Sequence, residues 1–190
     1  MRHFYAGIEG WFNFLPLYEE VINNAKHEQH FVEIGAWKGK STSYMAVEIV
    51  NQNKNITFDV VDTWEGSQDE EVHLKDRNVV NDTLFDTFCR NLEPVKDYIN
   101  VIRSDSVEAA SLYEDNSLDF VLLDAGHSYE QVKADIIAWL PKVKIGGILA
   151  RDDYGHLNKR HVKNSVAMAV DELIPNANKD NYWWKHIKEE

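Results

Sequence analysis

Apolar residues recur along this chain in two rhythms, one helical and one extended, and the two alternate. In LPLYEEVINNAK, residues 15–26, Leu17, Val21, Ile22 and Ala25 share one helical stripe. HFVEIG, residues 30–35, is a short apolar run and predicts a strand. KSTSYMAVEIVNQ, residues 40–52, returns to helical spacing, with Tyr44, Val47 and Val50 near one face. Ser41 and Thr42 stand where they can satisfy that helix's first amides. ITFDVVD, residues 56–62, predicts the second strand.

Residues 63–81, TWEGSQDEEVHLKDRNVVN, are charged and poorly periodic, which predicts a surface excursion and a candidate lid. LFDTFCRNLEPV resumes the helical rhythm and stops near Pro94. YINVIRSDS, residues 98–106, supplies a third strand with a polar exit, and VEAASLY a short helix. LDFVLLDAG, residues 118–126, is the clearest buried strand. SYEQVKADIIAWLPKV carries Val132, Ile136 and Leu140 on one stripe, and GGILARDDYG, residues 146–155, predicts a fifth strand ending in two aspartates. HVKNSVAMAVDELI, residues 161–174, is the last long helix, and NYWWKHIK, residues 181–188, predicts an antiparallel edge strand. Short strands separated by helices need a covering crossover each time. The pattern therefore implies an α/β fold: a Rossmann-like, doubly wound, mostly parallel sheet with helices on both faces.

Length and charge narrow the function. A chain of 190 residues suits one domain, residues 1–190, without repeat or linker. The formal charge of -12, from 32 acids against 20 bases, disfavours nucleic acid as a partner, because phosphate-backbone binding needs a basic surface. A lone cysteine, Cys89, excludes an internal disulfide and points to a reducing compartment. Its place in LFDTFCRNL predicts a buried helical thiol. No apolar run approaches the roughly 18 residues that cross a bilayer, and MRHFYAGIEGW has no continuous apolar signal segment, so the expectation is cytoplasmic and membrane-free.

Two constellations carry candidate chemistry. The first is VEIGAWKGKST with the later Asp62. A strand, a glycine turn and a helix start put backbone amides at the carboxyl edge of the sheet, where open α/β folds bind ligands. Gly35 and Gly39 would let the turn, with Ser41 just beyond it, approach a cofactor closely. Their spacing departs from the dinucleotide fingerprint and from the P-loop, so a phosphate is not the expected ligand. Glu33, inside the first strand, is placed to face a cofactor's ammonium group, and Asp62, ending the second, to receive two ribose hydroxyls. Ser104 and Asp105 follow the third strand and can contact a base, while Trp37 and Trp64 offer apolar faces to adenine or substrate, or simply pack the core.

The second constellation is Asp124 after the fourth strand and Asp152 with Asp153 after the fifth. Parallel strand ends converge on one edge, and three carboxylates meeting there repel unless a cation sits among them. All-oxygen ligation suits Mg²⁺, with Mn²⁺ or Ca²⁺ as alternatives. His127 lies close enough to Asp124 to act as a general base toward a metal-bound hydroxyl, or else to cap or pack the next helix. Tyr129 and Tyr154 fit helix interfaces as well as a site, and His156 and His161 are candidate substrate neighbours.

VEIGAWKGKST, FDVVDTWEG and VLLDAGHSYEQVKADIIAWLPKVKIGGILARDDYG together resemble the class I S-adenosylmethionine-dependent methyltransferases, in particular the metal-dependent sugar O-methyltransferase group related to macrocin O-methyltransferase. The resemblance spans most of residues 30–155. It implies that EIGAWKG wraps the methionine end of S-adenosylmethionine, that Asp62 holds the ribose, and that Ser104 to Ser106 border adenine. It also implies that Asp124, Asp152 and Asp153 hold a divalent metal, usually magnesium. One departure concerns the acidic base that relatives often carry two positions after the first metal aspartate, because Gly126 stands here. Either His127 takes that role, or the substrate differs, or the metal chemistry is lost. The reading that follows is methyl transfer to a hydroxyl of a small molecule, a sugar or another vicinal diol. An NAD-dependent oxidoreductase and a noncatalytic cofactor-binding module are the rivals, and association into a homo-oligomer is left open.

Overall fold

Strand ends decide where this fold can bind anything. The computed structural model describes residues 1–67, 71–155 and 165–190. In chain order the helices are α1 (Leu15–Asn24), α2 (Lys40–Asn51), α3 (Glu71–Lys75), α4 (Arg77–Val80), α5 (Leu84–Leu92), α6 (Ser106–Ala110), α7 (Tyr129–Trp139) and α8 (Ser165–Leu173). The strands are β1 (Gln29–Ile34), β2 (Ile56–Asp62), β3 (Asn100–Arg103), β4 (Leu118–Leu123), β5 (Val143–Arg151), β6 (Asn178–Lys179) and β7 (Trp184–Ile187). They form one sheet in the order β3-β2-β1-β4-β5-β7-β6. β1 to β5 run parallel, and β7 lies antiparallel between β5 and β6. The order reverses between β1 and β4, the switch point at which doubly wound sheets open a crevice.

Alternation along the strands splits the apolar side chains between two cores. Phe31, Phe58, Val60, Phe120 and Leu122 face α1, α2 and α5, whose Leu17, Val47 and Phe88 are buried with them. Val32, Ile34, Val61, Val121 and Leu123 face α6, α7 and α8, meeting Ala109, Ile136 and Val170. Burial of this kind is worth roughly 1.5–3 kcal/mol for each large apolar side chain. The strands therefore hold their register against both helical layers, and their carboxyl ends stay aligned.

Four sequence expectations change. Residues 184–187 are not the edge strand, because β6 pairs outside β7. Cys89 is exposed, since the buried stripe of α5 is Leu84, Phe88 and Leu92, and the residue after Phe88 turns away. On α7 the buried line runs through Val132, Asp135, Ile136 and Trp139, leaving Leu140 half-buried. The excursion after Asp62 contains α3 and α4 rather than unbroken loop, and begins with a core residue, Trp64. The predicted start of the last helix, residues 161–164, lies outside the described residues. Among the described residues no helix is long and apolar enough to cross a membrane.

Candidate active site

The ends of all five parallel strands border one cavity of about 680 Å³, lined by Gly35, Asp62, Ser104, Asp124 and Asp152 among others. Its floor is the turn between β1 and α2. Gly35 has φ 88°, and a Cβ there would stand 2.0 Å from the carbonyl oxygen of Asp124. The glycine thus lets the backbones of β1 and β4 meet at the switch point. Gly35→Ala is expected to lower unfolding free energy by about 2–5 kcal/mol, from left-handed strain plus overpacking, with the loss read by urea denaturation. Gly39 also has φ 88°, but its Cβ would meet Leu92 Cδ2 at 2.1 Å. A side chain here would collide with α5, so this glycine serves helix packing.

Asp62 fastens this turn. Its Oδ2 accepts from the amides of Ala36 (2.7 Å) and Trp37 (2.9 Å), and its Oδ1 from the amide of Trp64 (2.7 Å). A carboxylate has about four acceptor positions, so the capacity left, on Oδ1, suits one ribose hydroxyl rather than two. Trp37 adopts φ 51° and reaches the cavity wall. Trp64 does not: it is 2 % exposed, packs on Phe85 and Phe88, and donates from Nε1 to the Trp37 carbonyl at 3.1 Å. A ring enclosed on these sides has no face for adenine, so the cofactor role expected of Trp64 is withdrawn.

Glu33 is fully buried, one hydrogen bond behind the wall. The Ser41 hydroxyl, on the wall, donates to Glu33 Oε1 instead of capping its own helix, whose N-cap is Gly39 without a side-chain bond. The hydroxyls of Thr42 and Tyr18 also face the Glu33 carboxyl. Burial pushes the Glu33 carboxyl up to about 7, with hydrogen bonding led by Ser41 opposing and the Asp62 charge adding. Such a group gains most from a nearby cation. On the opposite wall Ser104 and Asp105 are present as expected, but the Asp105 carboxylate caps α6 through the amides of Val107 (2.9 Å) and Glu108 (3.4 Å).

The acids of β4 and β5 do converge, with a change of membership. Ligand atoms of Asp124, His127 and Asp153 lie within 4.8 Å of one another. His127 Nε2 is 2.7 Å from Asp153 Oδ2. Asp152 stays outside this set, buried on the cavity wall with Oδ1 unpartnered among the described residues. Successive strand-end residues point to different sides, and the left-handed backbone of Asp153, φ 64°, accompanies its pairing with His127. Two of the three expected aspartates thus stand with an imidazole, and the third, Asp152, lies close enough for its charge to act on Asp124. Burial first, then the charges of Asp152 and Asp153, hold the Asp124 carboxyl well above the usual range. Burial and Asp153 push Asp152 up to about 7. Crowded acids that resist ionisation fit a divalent cation, and the imidazole extends the choice from Mg²⁺ toward Mn²⁺ and other transition ions.

Sequence reading named Trp37 but missed the rest of the rim, Trp11 and His73, and the support beneath the acids. The Trp37 ring stacks on His73 at 4.1 Å and 17°, and Trp11 lies 5.7 Å from the same imidazole. Arg151 and Asp135 are buried behind the acid loop. Tyr154 donates to Asp171 at 2.8 Å and Tyr129 to Glu172, so both are engaged by α8. His156 and His161 lie outside the described residues.

A family model described as a methyltransferase domain matches residues 32–154. The protein y4gI of Sinorhizobium fredii, uncharacterized, is 26 % identical over 141 residues, which is 74 % of this chain and 15 % of that protein. The chain thus spans about 15 % of the curated relative's length. Among solved structures, the O-methyltransferase NovP superposes with a TM-score of 0.69 at 20 % identity, covering 94 % of this chain and 78 % of that one. SMU.1697c from Streptococcus mutans, solved in complex with SAH, gives 0.59 at 9 % identity, covering 93 % and 98 %. At these identities the structural likeness is one of fold.

Proposed function

Because the chain belongs to the methyltransferase-domain family, within the class I S-adenosylmethionine-dependent methyltransferases, we propose that it moves the sulfonium methyl of S-adenosylmethionine to a hydroxyl of a small molecule, a sugar or another vicinal diol, at a divalent metal. The observation that carries this reading is the single cavity shared by the Ser41 wall, with Glu33 behind it, and the Asp124, His127 and Asp153 cluster. One part suits a cationic donor, the other a hydroxyl acceptor.

The chain's own groups account for the steps that a methyl transfer needs. The turn held by Asp62 fixes the donor's position, and alignment of donor and acceptor is itself a large part of such catalysis. Glu33, behind Ser41, offers its charge to the donor's ammonium group. Asp124, His127 and Asp153 would hold the metal, which when bound lowers the pKa of a coordinated hydroxyl and relieves the crowded carboxylates. Where His127 holds the metal, Asp152 on the cavity wall, with Oδ1 unpartnered among the described residues, would take the hydroxyl proton. With His127 outside the metal's shell, the imidazole takes that proton. Trp11, Trp37 and His73 form an aromatic rim beside the turn held by Asp62.

The test is calorimetric titration of S-adenosylmethionine and S-adenosylhomocysteine into the chain, without metal, with Mg²⁺ and with Mn²⁺. The expected result is micromolar binding of both nucleosides, followed by metal-dependent methylation in a screen of diol acceptors. Absence of nucleoside binding in all three conditions would overturn the reading.

A further inference from the structure

Arg151 ends β5 at 1 % exposure, an unusual place for a charge unless neighbouring groups hold it. Its guanidinium reaches two elements. Nη1 lies 3.4 Å from Asp135 Oδ2 on α7, while Nη2 donates to the carbonyls of Ala125, at 3.3 Å, and Gly126. Asp135 is itself fixed, accepting from the Ser106 hydroxyl at 2.6 Å, and Ser106 accepts from Trp139 Nε1 at 3.0 Å.

The grip falls on the loop that matters. Asp124 and His127 bracket the two carbonyls that Arg151 holds, and among the described residues neither carbonyl joins a backbone–backbone bond. On the far side of His127 the Ser128 and Gln131 capping box anchors the start of α7. A Cβ at Gly126 would meet Gln131 Oε1 at 2.5 Å, so this residue is clamped between the cap and the guanidinium. His127 hangs between two fixed points.

We propose that Arg151 is a positioning residue for the acid site: its fork holds the Ala125 and Gly126 carbonyls so that Asp124 and His127 meet Asp153. The planar guanidinium is the group for this, because it serves a carboxylate and two carbonyls at once, whereas a lysine ammonium is a point donor on a flexible stem. Asp135 sets the plane of the fork. The Ser106 link ties the loop to the wall after β3, so donor side and acid side are braced by one buried network. The catalytic consequence rests on the methyl-transfer reading, while the placement of His127 does not.

The experiment compares wild type with Arg151→Lys and Arg151→Met. Thermal melts report the fold. The His127 ring resonances are recorded by NMR without donor, metal or acceptor, and Mn²⁺ affinity and steady-state kinetics follow. Expected are cooperative melts, displaced His127 resonances, and metal affinity and kcat lower by about tenfold or more, with donor KM within about threefold and the Lys variant between Met and wild type. An Arg151→Met chain that keeps its His127 resonances and metal affinity within about twofold overturns the proposal. Failure of both variants to fold assigns Arg151 to the fold alone and overturns it equally. Wild type without methyl transfer but with the NMR difference would retire the functional reading and leave the positioning role standing.

Discussion

Asp124→Asn is expected to lower turnover by at least about a hundredfold while S-adenosylmethionine affinity stays within about threefold. Loss of a group that merely orients a metal ligand already costs about 10–100-fold, and Asp124 is placed to be a ligand itself. The amide preserves shape but removes one of the charges that crowd β4 and β5. In wild type, burial and the charges of Asp152 and Asp153 oppose ionisation of Asp124. The metal-free variant should therefore melt at a higher temperature than metal-free wild type at pH 8, and gain less from added Mg²⁺ or Mn²⁺. Melting curves with and without metal, alongside initial rates, check both parts. An Asp124→Asn enzyme with wild-type kcat would remove the metal from the mechanism.

Glu33→Gln should flatten the pH dependence of stability and weaken the donor. The Glu33 carboxyl keeps its proton to about pH 7 in the folded chain, against about 4.3 when unfolded. Between those values folding takes up a proton, so the favourable contribution is complete below the unfolded value and is lost as pH rises through about 7. At about 1.4 kcal/mol per pKa unit, the wild-type chain carries a penalty on the order of 4 kcal/mol at pH 8 that glutamine lacks. The variant should match wild type near pH 4 and exceed it at pH 8 in urea denaturation. The same change removes the charge offered to the donor's ammonium group, so donor affinity should fall about tenfold at pH 8. Equal pH profiles for the two chains would mean that Glu33 titrates as an ordinary carboxylate.

Much of this was legible because strand ends announce themselves. ITFDVVD coincides with β2, and LDFVLLD places Asp124 one residue past β4. An apolar run ending in an acid fixes both the strand and the edge to which the acid belongs. What was not legible depends on which way a side chain leaves the backbone. Asp152 and Asp153 are adjacent in sequence, yet only Asp153, with its left-handed φ of 64°, joins the ligand cluster. Trp64 reads as a loop aromatic until α5 brings Phe85 and Phe88 against it. Arg151 sits in the apolar rhythm of β5, and only the three-dimensional approach of Asp135 and the loop carbonyls makes a buried guanidinium tolerable there. Ser41 has the position of a helix cap, and tertiary contact with Glu33 overrides that local preference.

The three amides gathered by Asp62 have a kinetic meaning. A loop that must order around its ligand gives up conformational freedom at the moment of association, which lowers affinity and slows capture. Here the bonds to Ala36, Trp37 and Trp64 have already frozen the turn during folding. On the proposed function, encounter with the nucleoside is expected to proceed as a single step against a preformed turn, with an observed rate that rises linearly with ligand concentration in stopped-flow binding. Residence time, not capture, becomes the quantity through which substitutions along this turn would express themselves.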